Sequence, residues 1–179
     1  MTHSITTKGL YLAAAFAIAM TNFTNCSDKE AAGYIGQSDI AVEDGKMTPE
    51  VMLSLGRLSD PQLSPDGKTI LYGVSYTSVP DNRSCRNLFL VNADGTCRRQ
   101  LTREGSSISC ARWTEGGRSI MYIQKGQLLK ATVRGLGGNS PKLVKKTVIS
   151  DIPAGISEFK LSPDGSRIMF VSTVKGAVS

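Results

Sequence analysis

The fold is decided by the stretch Leu63-Ser64-Pro65-Asp66-Gly67-Lys68-Thr69-Ile70-Leu71-Tyr72-Gly73-Val74. Its first half is typical of a tight turn, because proline presets φ at the second turn position and glycine accepts the positive φ that closes the turn. Its second half alternates from Ile70 to Val74 with the period of two that indicates a β-strand. The stretch therefore predicts a turn that joins two antiparallel strands.

This pattern recurs at Trp113–Ile123 and again at Leu161–Val171. Leu63 is equivalent to Trp113 and to Leu161, and the Ser-Pro-Asp-Gly turn itself returns in the third copy. Further strands are predicted between the copies, and the Asp94-Gly95 dipeptide favours a hairpin there. A period of about 40 to 50 residues with several strands per unit is typical of propeller blades.

The repeat predicts an all-β chain that carries two and a half four-stranded blades of an incomplete β-propeller. The blades are expected at about 60–104, 108–147 and 157–179, the last with only its first two strands. An ordinary β-sandwich with similar turns is the structural alternative. Because a propeller protects its strand edges by closing into a ring, the chain is expected to be part of a longer protein, or, as the alternative, to complete a ring with further copies.

The N-terminal residues have the pattern of a targeting segment. Lys8 precedes an apolar run at 9–20 that is short for a membrane-spanning helix and suits a secretory signal peptide. Cys26 follows Phe23-Thr24-Asn25, which resembles a bacterial lipobox, so we expect a lipoprotein signal peptide over 1–25 and acylation of Cys26. The alternatives are a plain signal peptide and an uncleaved anchor.

The predicted lipid anchor has consequences for location and for the residues that follow it. The chain is expected to be exported, to the periplasm or the cell surface, and to be held at the outer membrane. The acidic run at 27–30 resembles an export tag for the cell surface in some Gram-negative bacteria. Residues 26–46 are predicted to form a flexible tether. A short helix is predicted over 47–58, with Thr48 as N-cap and Gly56 as its stop.

The composition excludes several kinds of site. The 179 residues carry a formal net charge of +6, and 40% are hydrophobic, which is typical of a globular protein. The basic residues are scattered, with their densest clusters at Arg98-Arg99 and 142–146, so no nucleic-acid partner is expected. The only histidine is His3. The mature chain therefore cannot build a Ser-His-Asp triad or offer zinc a histidine ligand, and no catalytic residue, metal or cofactor is predicted.

Three other features are predicted to be structural. The Ser157–Lys160 spacing enters a strand, where a serine–lysine dyad is not expected. The Gly135–Gly138 run is expected to be a flexible loop rather than a phosphate site. Cys85, Cys97 and Cys110 are expected to be free thiols, buried or half-buried.

The repeat resembles that of the TolB protein and of serine peptidases of the prolyl oligopeptidase family. The closer resemblance is to the dipeptidyl- and acylaminoacyl-peptidases, and it rests on the Thr48-Pro49-Glu50 helix start, residues 58–68, residues 81–95 and Gln100-Leu101-Thr102. In that family a propeller caps a C-terminal α/β-hydrolase domain, limits access to it and helps to select short peptides.

The resemblance implies that this chain is the cap portion of an exported peptidase that acts on peptides. The chain has no Gly-x-Ser-x-Gly elbow, so the catalytic hydrolase domain is expected to be absent from it and the chain alone to be inactive. A non-catalytic, propeller-like binding lipoprotein of the cell envelope is the alternative function.

Overall fold

The computed structural model describes residues 31–42 and 44–174. In this part of the chain, one α-helix precedes ten strands, in the following order. They are α1 (Pro49–Ser54), β1 (Arg57–Leu63), β2 (Thr69–Ser78), β3 (Arg83–Asn92), β4 (Arg99–Gln100), β5 (Ile108–Thr114), β6 (Ser119–Gln124), β7 (Gln127–Arg134), β8 (Lys142–Val148), β9 (Glu158–Leu161) and β10 (Ile168–Val171).

The strands form three antiparallel sheets in chain order. Sheet 1 has the order β1-β2-β3-β4, sheet 2 has the order β5-β6-β7-β8, and β9 pairs with β10 alone. The predicted all-β class with one short helix is confirmed. That the sheets are blades of a propeller stays a prediction.

The Ser-Pro-Asp-Gly turns have the predicted geometry. Gly67 has a φ of +71° and Gly165 a φ of +70°, which glycine adopts without a steric penalty. In the first turn the Ser64 hydroxyl donates to Asp66 (2.5 Å) and accepts the Thr69 N–H (2.9 Å). The third copy repeats both bonds with its own serine and aspartate. The motif therefore sets its own hairpin through local hydrogen bonds.

The helix is shorter than the predicted 47–58. Thr48 is the N-cap, and its side chain accepts the Val51 N–H, but the helix ends at Ser54 because Leu55 has an extended backbone (φ −67°, ψ 131°). The expectation that Gly56 stops the helix is wrong. Gly56 is needed for packing instead, because a Cβ there would lie 2.7 Å from the ring of Tyr76.

Part of the predicted tether at 26–46 packs against sheet 1. Ile35 is 8% exposed and belongs to a buried cluster with Tyr72 and Phe89. The Ala31 N–H donates to the carbonyl of Arg103 (3.2 Å), and Arg83 donates to the carbonyl of Gly33 (2.5 Å). The isolated apolar residue at position 35 gave no periodic signal, yet it covers the face of sheet 1 that points away from sheet 2. Cys26 and the predicted signal peptide lie outside the described residues.

The sheets pack face to face in series. Leu71, Leu88 and Leu90 of sheet 1 share one core with the inward side chains of sheet 2, which include Ile108, Ile120 and Tyr122. The opposite face of sheet 2 packs on the β9–β10 hairpin around the fully buried Phe159. Each sheet thus buries one face against the next unit along the chain. No helix of the described residues is long and apolar enough to cross a membrane.

Candidate functional site

The first strand of each four-stranded sheet is interrupted by a β-bulge at the same place in the repeat. Asp60 has a φ of +52° and Cys110 a φ of +50°, and each lies three residues before an equivalent position of the repeat, Leu63 or Trp113. A bulge bends the strand and redirects the neighbouring side chains. A positive φ costs energy for a residue other than glycine, so the packing around both positions must hold it.

The two bulged strands meet at a polar seam, which consists of Asp60, Gln62, Arg112 and Trp113. Arg112 Nη1 donates to Asp60 Oδ2 at 2.6 Å, and both side chains are more than two-thirds buried. Gln62 donates to Asp60 (3.2 Å), and the Trp113 indole N–H donates to the carbonyl of Gln62 (3.3 Å). The charges of the seam are paired, so it can hold the two sheets together but offers no unpaired base for proton transfer.

A buried amide clamps sheet 1 to the connection that leaves it. The Asn87 side-chain carbonyl accepts the Thr102 hydroxyl (2.8 Å) and the Glu104 N–H (2.7 Å), while its NH₂ group donates to the carbonyl of Glu104 (3.1 Å). The Thr102 oxygen in turn accepts the Leu88 N–H (2.9 Å). Asn87 is 1% exposed. Its hydrogen bonds therefore fix where the chain passes from β4 to β5.

Sheet 2 has the same clamp built from different residues. The Gln127 carbonyl accepts the Ser150 hydroxyl (2.7 Å) and the Ile152 N–H (3.2 Å), and its NH₂ group donates to the carbonyl of Ile152 (2.9 Å). Ser150 accepts the Leu128 N–H at 2.8 Å. Sequence reasoning missed both clamps, because their residue types differ between the sheets: asparagine in sheet 1 is replaced by glutamine in sheet 2, and threonine by serine. An amide side chain in each third strand, Asn87 in β3 and Gln127 in β7, was the available signal.

A cavity of about 650 Å³ opens where the turns of sheets 1 and 2 meet. Its rim carries Asp66 and Asp94 together with Lys68 and Arg118. Hydrogen bonds from the Ser64 side chain and the Lys68 backbone lower the pKa of Asp66, and those from Thr96 lower the pKa of Asp94. Both carboxylates therefore stay ionised near neutral pH, which suits binding of polar groups and excludes a role as general acid.

One buried arginine holds the cavity's glycine loop. Arg99 is 9% exposed, and its guanidinium donates to the carbonyls of Leu136 and Gly138 and to Asn92 Oδ1 (2.8 Å). The Gly135–Gly138 segment thus lies in the connection between β7 and β8 and is anchored to sheet 1. Its carbonyls are committed to Arg99, which gives it a structural role in place of the flexible loop that was predicted.

The three described cysteines are free thiols. Cys85 is buried, and burial raises its pKa, which makes the reactive thiolate scarce. Cys110 is half-buried at the bulge, but Cys97 is exposed, so the prediction of buried or half-buried thiols is wrong for Cys97. Cys97 lies in the turn before β4 with a φ of +54°, a place outside the core.

The remaining candidate positions are separated by the structure. The Ser157 hydroxyl donates to the carbonyl of Val171 (3.3 Å), and Lys160 lies three residues further along the chain in β9. Side chains three apart in a strand point to opposite faces. Within 31–42 and 44–174, no group of three or more His, Cys, Asp or Glu side chains is placed to hold a metal ion.

Comparisons with known proteins relate this geometry to peptidases. No protein-family model matches the chain. Over 135 residues the chain is 31% identical to Dipeptidyl-peptidase 5 of Porphyromonas endodontalis, covering 74% of the chain and 19% of that protein. Over 151 residues it is 33% identical to Dipeptidyl-peptidase 5 of Porphyromonas gingivalis, covering 81% of the chain and 21% of that protein.

The fold is also similar to part of a solved structure, the acylaminoacyl peptidase of Pyrococcus horikoshii. The TM-score is 0.51 at 16% sequence identity, and the match covers 68% of this chain and 18% of that one. This likeness concerns the fold alone. The chain spans about a fifth of the length of the curated relatives that it matches. By its sequence, the chain is related to part of these two dipeptidyl-peptidases.

Proposed function

We propose that this chain is the N-terminal propeller portion of an exported serine peptidase, and that it governs access of peptides to a hydrolase domain outside the chain. The observation that carries the proposal is the 33% identity to a dipeptidyl-peptidase over 151 residues, which covers 81% of the chain. The serial packing of two sheets of identical strand order supports it, because propellers are built from such repeated units.

The residues of the chain favour gating over catalysis. Peptide-bond hydrolysis by serine needs a nucleophile beside a general base, and the sequence has its single histidine at position 3. The aspartates at the cavity rim are held ionised by their own turns. The chain therefore contributes shape and charge, and the hydrolase domain would contribute the chemistry.

The polar seam would face the path of the substrate. The first strand of each blade lines the central channel in a closed propeller, and the seam lies on β1 and β5. Because Asp60 and Arg112 neutralise each other, this part of the wall would be polar without a net charge. Such a wall would let both positively and negatively charged peptides pass.

Lipid anchoring at Cys26 is the second part of the proposal. The apolar run at 9–20 and the cysteine that follows it support export and acylation. Acyl chains would hold the protein at the outer membrane without spanning it. Incorporation of labelled palmitate into the wild-type protein, and its loss in Cys26→Ser, would test the anchor.

The peptidase proposal is tested on the native protein. Antibodies raised against residues 57–148 would capture it from cells, and a fluorophosphonate probe would label any activated serine. We expect the captured polypeptide to take up the probe and to release dipeptides from an unblocked peptide, whereas the purified 179-residue chain does neither. A captured polypeptide that binds peptides but takes up no probe would contradict the proposal and favour a binding lipoprotein.

A further inference from the structure

The second sheet carries a run of basic residues without any acid. Residues 116–150 contain seven lysines and arginines and no aspartate or glutamate. The run covers β6, β7 and β8. Such an imbalance within 35 residues creates a local positive field, although the charges of the whole chain are mixed.

Most of this charge is concentrated on one edge of the molecule. The edge strand β8 carries Lys142, Lys145 and Lys146, all exposed, and Arg134 is the cross-strand partner of Lys142. Lys145 lies at a bulge of this strand (φ +52°). Arg103 lies beside the same strand, and these five residues are called the basic face. Lys146 is paired with Glu104.

The chain enters the fold at this face. Ala31 lines a cleft together with Arg103, Lys142 and Lys146, and the Ala31 N–H donates to the carbonyl of Arg103. Ala31 is five positions after Cys26 in the sequence, so a fully extended chain spans at most about 18 Å between them. An acyl group on Cys26 would therefore hold the basic face within reach of the lipid headgroups.

We propose that the basic face is a membrane-contact surface that binds anionic phospholipid headgroups and sets the orientation of the protein on the bilayer. The proposal rests on the lipid anchor proposed above, because the anchor brings this edge to the surface. Each lysine or arginine near an anionic bilayer strengthens binding, and an acyl chain alone anchors only weakly. Anchor and basic face would thus act together.

The lysines of β8 can also protect an edge strand, and the test must distinguish this role from membrane contact. Lysines and bulges on an edge strand also discourage pairing with other chains. That role needs neither anionic lipid nor a neighbouring anchor, so it predicts no lipid preference. A preference for anionic over neutral vesicles is therefore the property that decides between the two.

The experiment measures how the full protein, purified from membranes, distributes between two kinds of vesicle. One kind contains phosphatidylcholine alone, and the other also contains phosphatidylglycerol. The test variant is Lys142→Gln, Lys145→Gln and Lys146→Gln combined. The matched control neutralises three exposed basic residues elsewhere, Lys68→Gln, Lys160→Gln and Arg167→Gln. Thermal unfolding verifies that both variants fold.

We expect the wild-type protein and the control to prefer the anionic vesicles by about tenfold or more at low salt. The test variant should show less than about twofold preference, and about 1 M salt should abolish the preference in all three proteins. An unchanged preference in the test variant, or an equal loss in the control, overturns the proposal. Binding to duplex DNA as tight as to anionic vesicles overturns it too, since the face would then be a general polyanion surface.

Palmitate labelling distinguishes failure of the basic-face proposal from failure of the lipid-anchor proposal. Labelling that depends on Cys26, together with an absent lipid preference, contradicts the basic face and leaves the anchor intact. A charge-dependent lipid preference without labelling contradicts the anchor and supports a membrane-contact face that acts through charge alone.

Discussion

Sheets 1 and 2 have the same strand order but close their last connection over different distances. In sheet 1 the clamp joins Asn87 to Thr102, 15 residues apart, and in sheet 2 it joins Gln127 to Ser150, 23 residues apart. Four hydrogen bonds are the same in kind, and Asn87 donates a further one to Cys85 Sγ (3.6 Å). The repeat therefore preserves a pattern of donors and acceptors, while residue type and loop length vary.

The turns of the two sheets, unlike the clamps, do not keep the same hydrogen bonds. Ser64 and Thr114 occupy equivalent places, but Gly116 in sheet 2 stands where sheet 1 has Asp66. The Ser64 hydroxyl is fully used, whereas the buried Thr114 hydroxyl has no hydrogen-bond partner among the described residues. The backbone differs as well: Glu115 has a φ of +52° where sheet 1 has Pro65, and the Arg118 N–H closes the turn on the carbonyl of Glu115, whereas in sheet 1 the Gly67 N–H closes it on the carbonyl of Ser64.

The largest expected difference between the sheets lies in their clamps. Asn87→Ala should lower the free energy of unfolding by about 2–4 kcal/mol, because it leaves the Thr102 hydroxyl and both backbone groups of Glu104 unpaired in a buried place. Gln127→Ala should cost about 1–2 kcal/mol, since the half-exposed clamp of sheet 2 can be rehydrated. Urea titration of both variants checks that Asn87→Ala loses more unfolding free energy than Gln127→Ala, and equal losses would contradict this prediction.

Loss of the ion pair in the polar seam is expected to have the next largest effect on stability. In a double-mutant cycle, Asp60→Ala and Arg112→Ala should show a coupling energy of about 1 kcal/mol, because the pair is mostly buried but still in contact with solvent. A cycle between Asp60 and the distant Arg118 is the control. Coupling near zero for the first pair would show that the seam does not join the sheets.

A buried hydroxyl in sheet 2 should be dispensable. Tyr122 is 0% exposed, and its hydroxyl has no partner within the described residues. Its counterpart in sheet 1 is Tyr72. Tyr122→Phe should raise the free energy of unfolding by about 1 kcal/mol, because it removes an unsatisfied polar group. Thermal denaturation measures the gain, and a lower melting temperature would contradict it.

The same tyrosine should make stability depend on alkaline pH. Burial, with a smaller contribution from Glu104, raises the pKa of Tyr122 from 10.0 to about 12. Between these values the unfolded chain releases the phenol proton and the folded chain retains it, so stability falls as pH rises through this window. The fall should be smaller in Tyr122→Phe. Parallel pH profiles of both proteins would contradict the account.

The smallest effects concern the turns. Ser64→Ala should destabilise the protein by about 1 kcal/mol, because the Thr69 N–H loses its acceptor. Thr114→Val should be neutral or stabilising by about 0.5 kcal/mol, because only an unpaired hydroxyl is removed. Chemical denaturation of the two variants compares them directly, and a loss in Thr114→Val as large as in Ser64→Ala would show that the hydroxyl is used.

The elements that could be predicted are those with a strong local signal. The Ser-Pro-Asp-Gly turns and the alternating strands gave the all-β class, because proline, glycine and a period of two each act on their own segment. The helix start at Thr48 was equally local. Its end was not, because the close approach of Gly56 to Tyr76 depends on the packing of β2.

The features that escaped prediction depend on contacts between distant residues. Ile35 gave no sign that it would cover sheet 1, and Asn87 gave none that it would reach Glu104. The bulges at Asp60 and Cys110 place ordinary residues in a glycine-like conformation, which no local rule anticipates. Their shared position in the repeat was the only available clue.

We infer that sheets 1 and 2 are two copies of one clamped unit. Hydrogen exchange on the full chain, with and without Asn87→Ala, tests this claim. We expect the amides of Leu88 and Leu128 to be protected alike in the wild type, and the substitution to accelerate exchange in β3 and at residues 101–104 while β6 and β7 stay protected. Acceleration of equal size throughout both sheets, or no acceleration near Leu88, would contradict the claim.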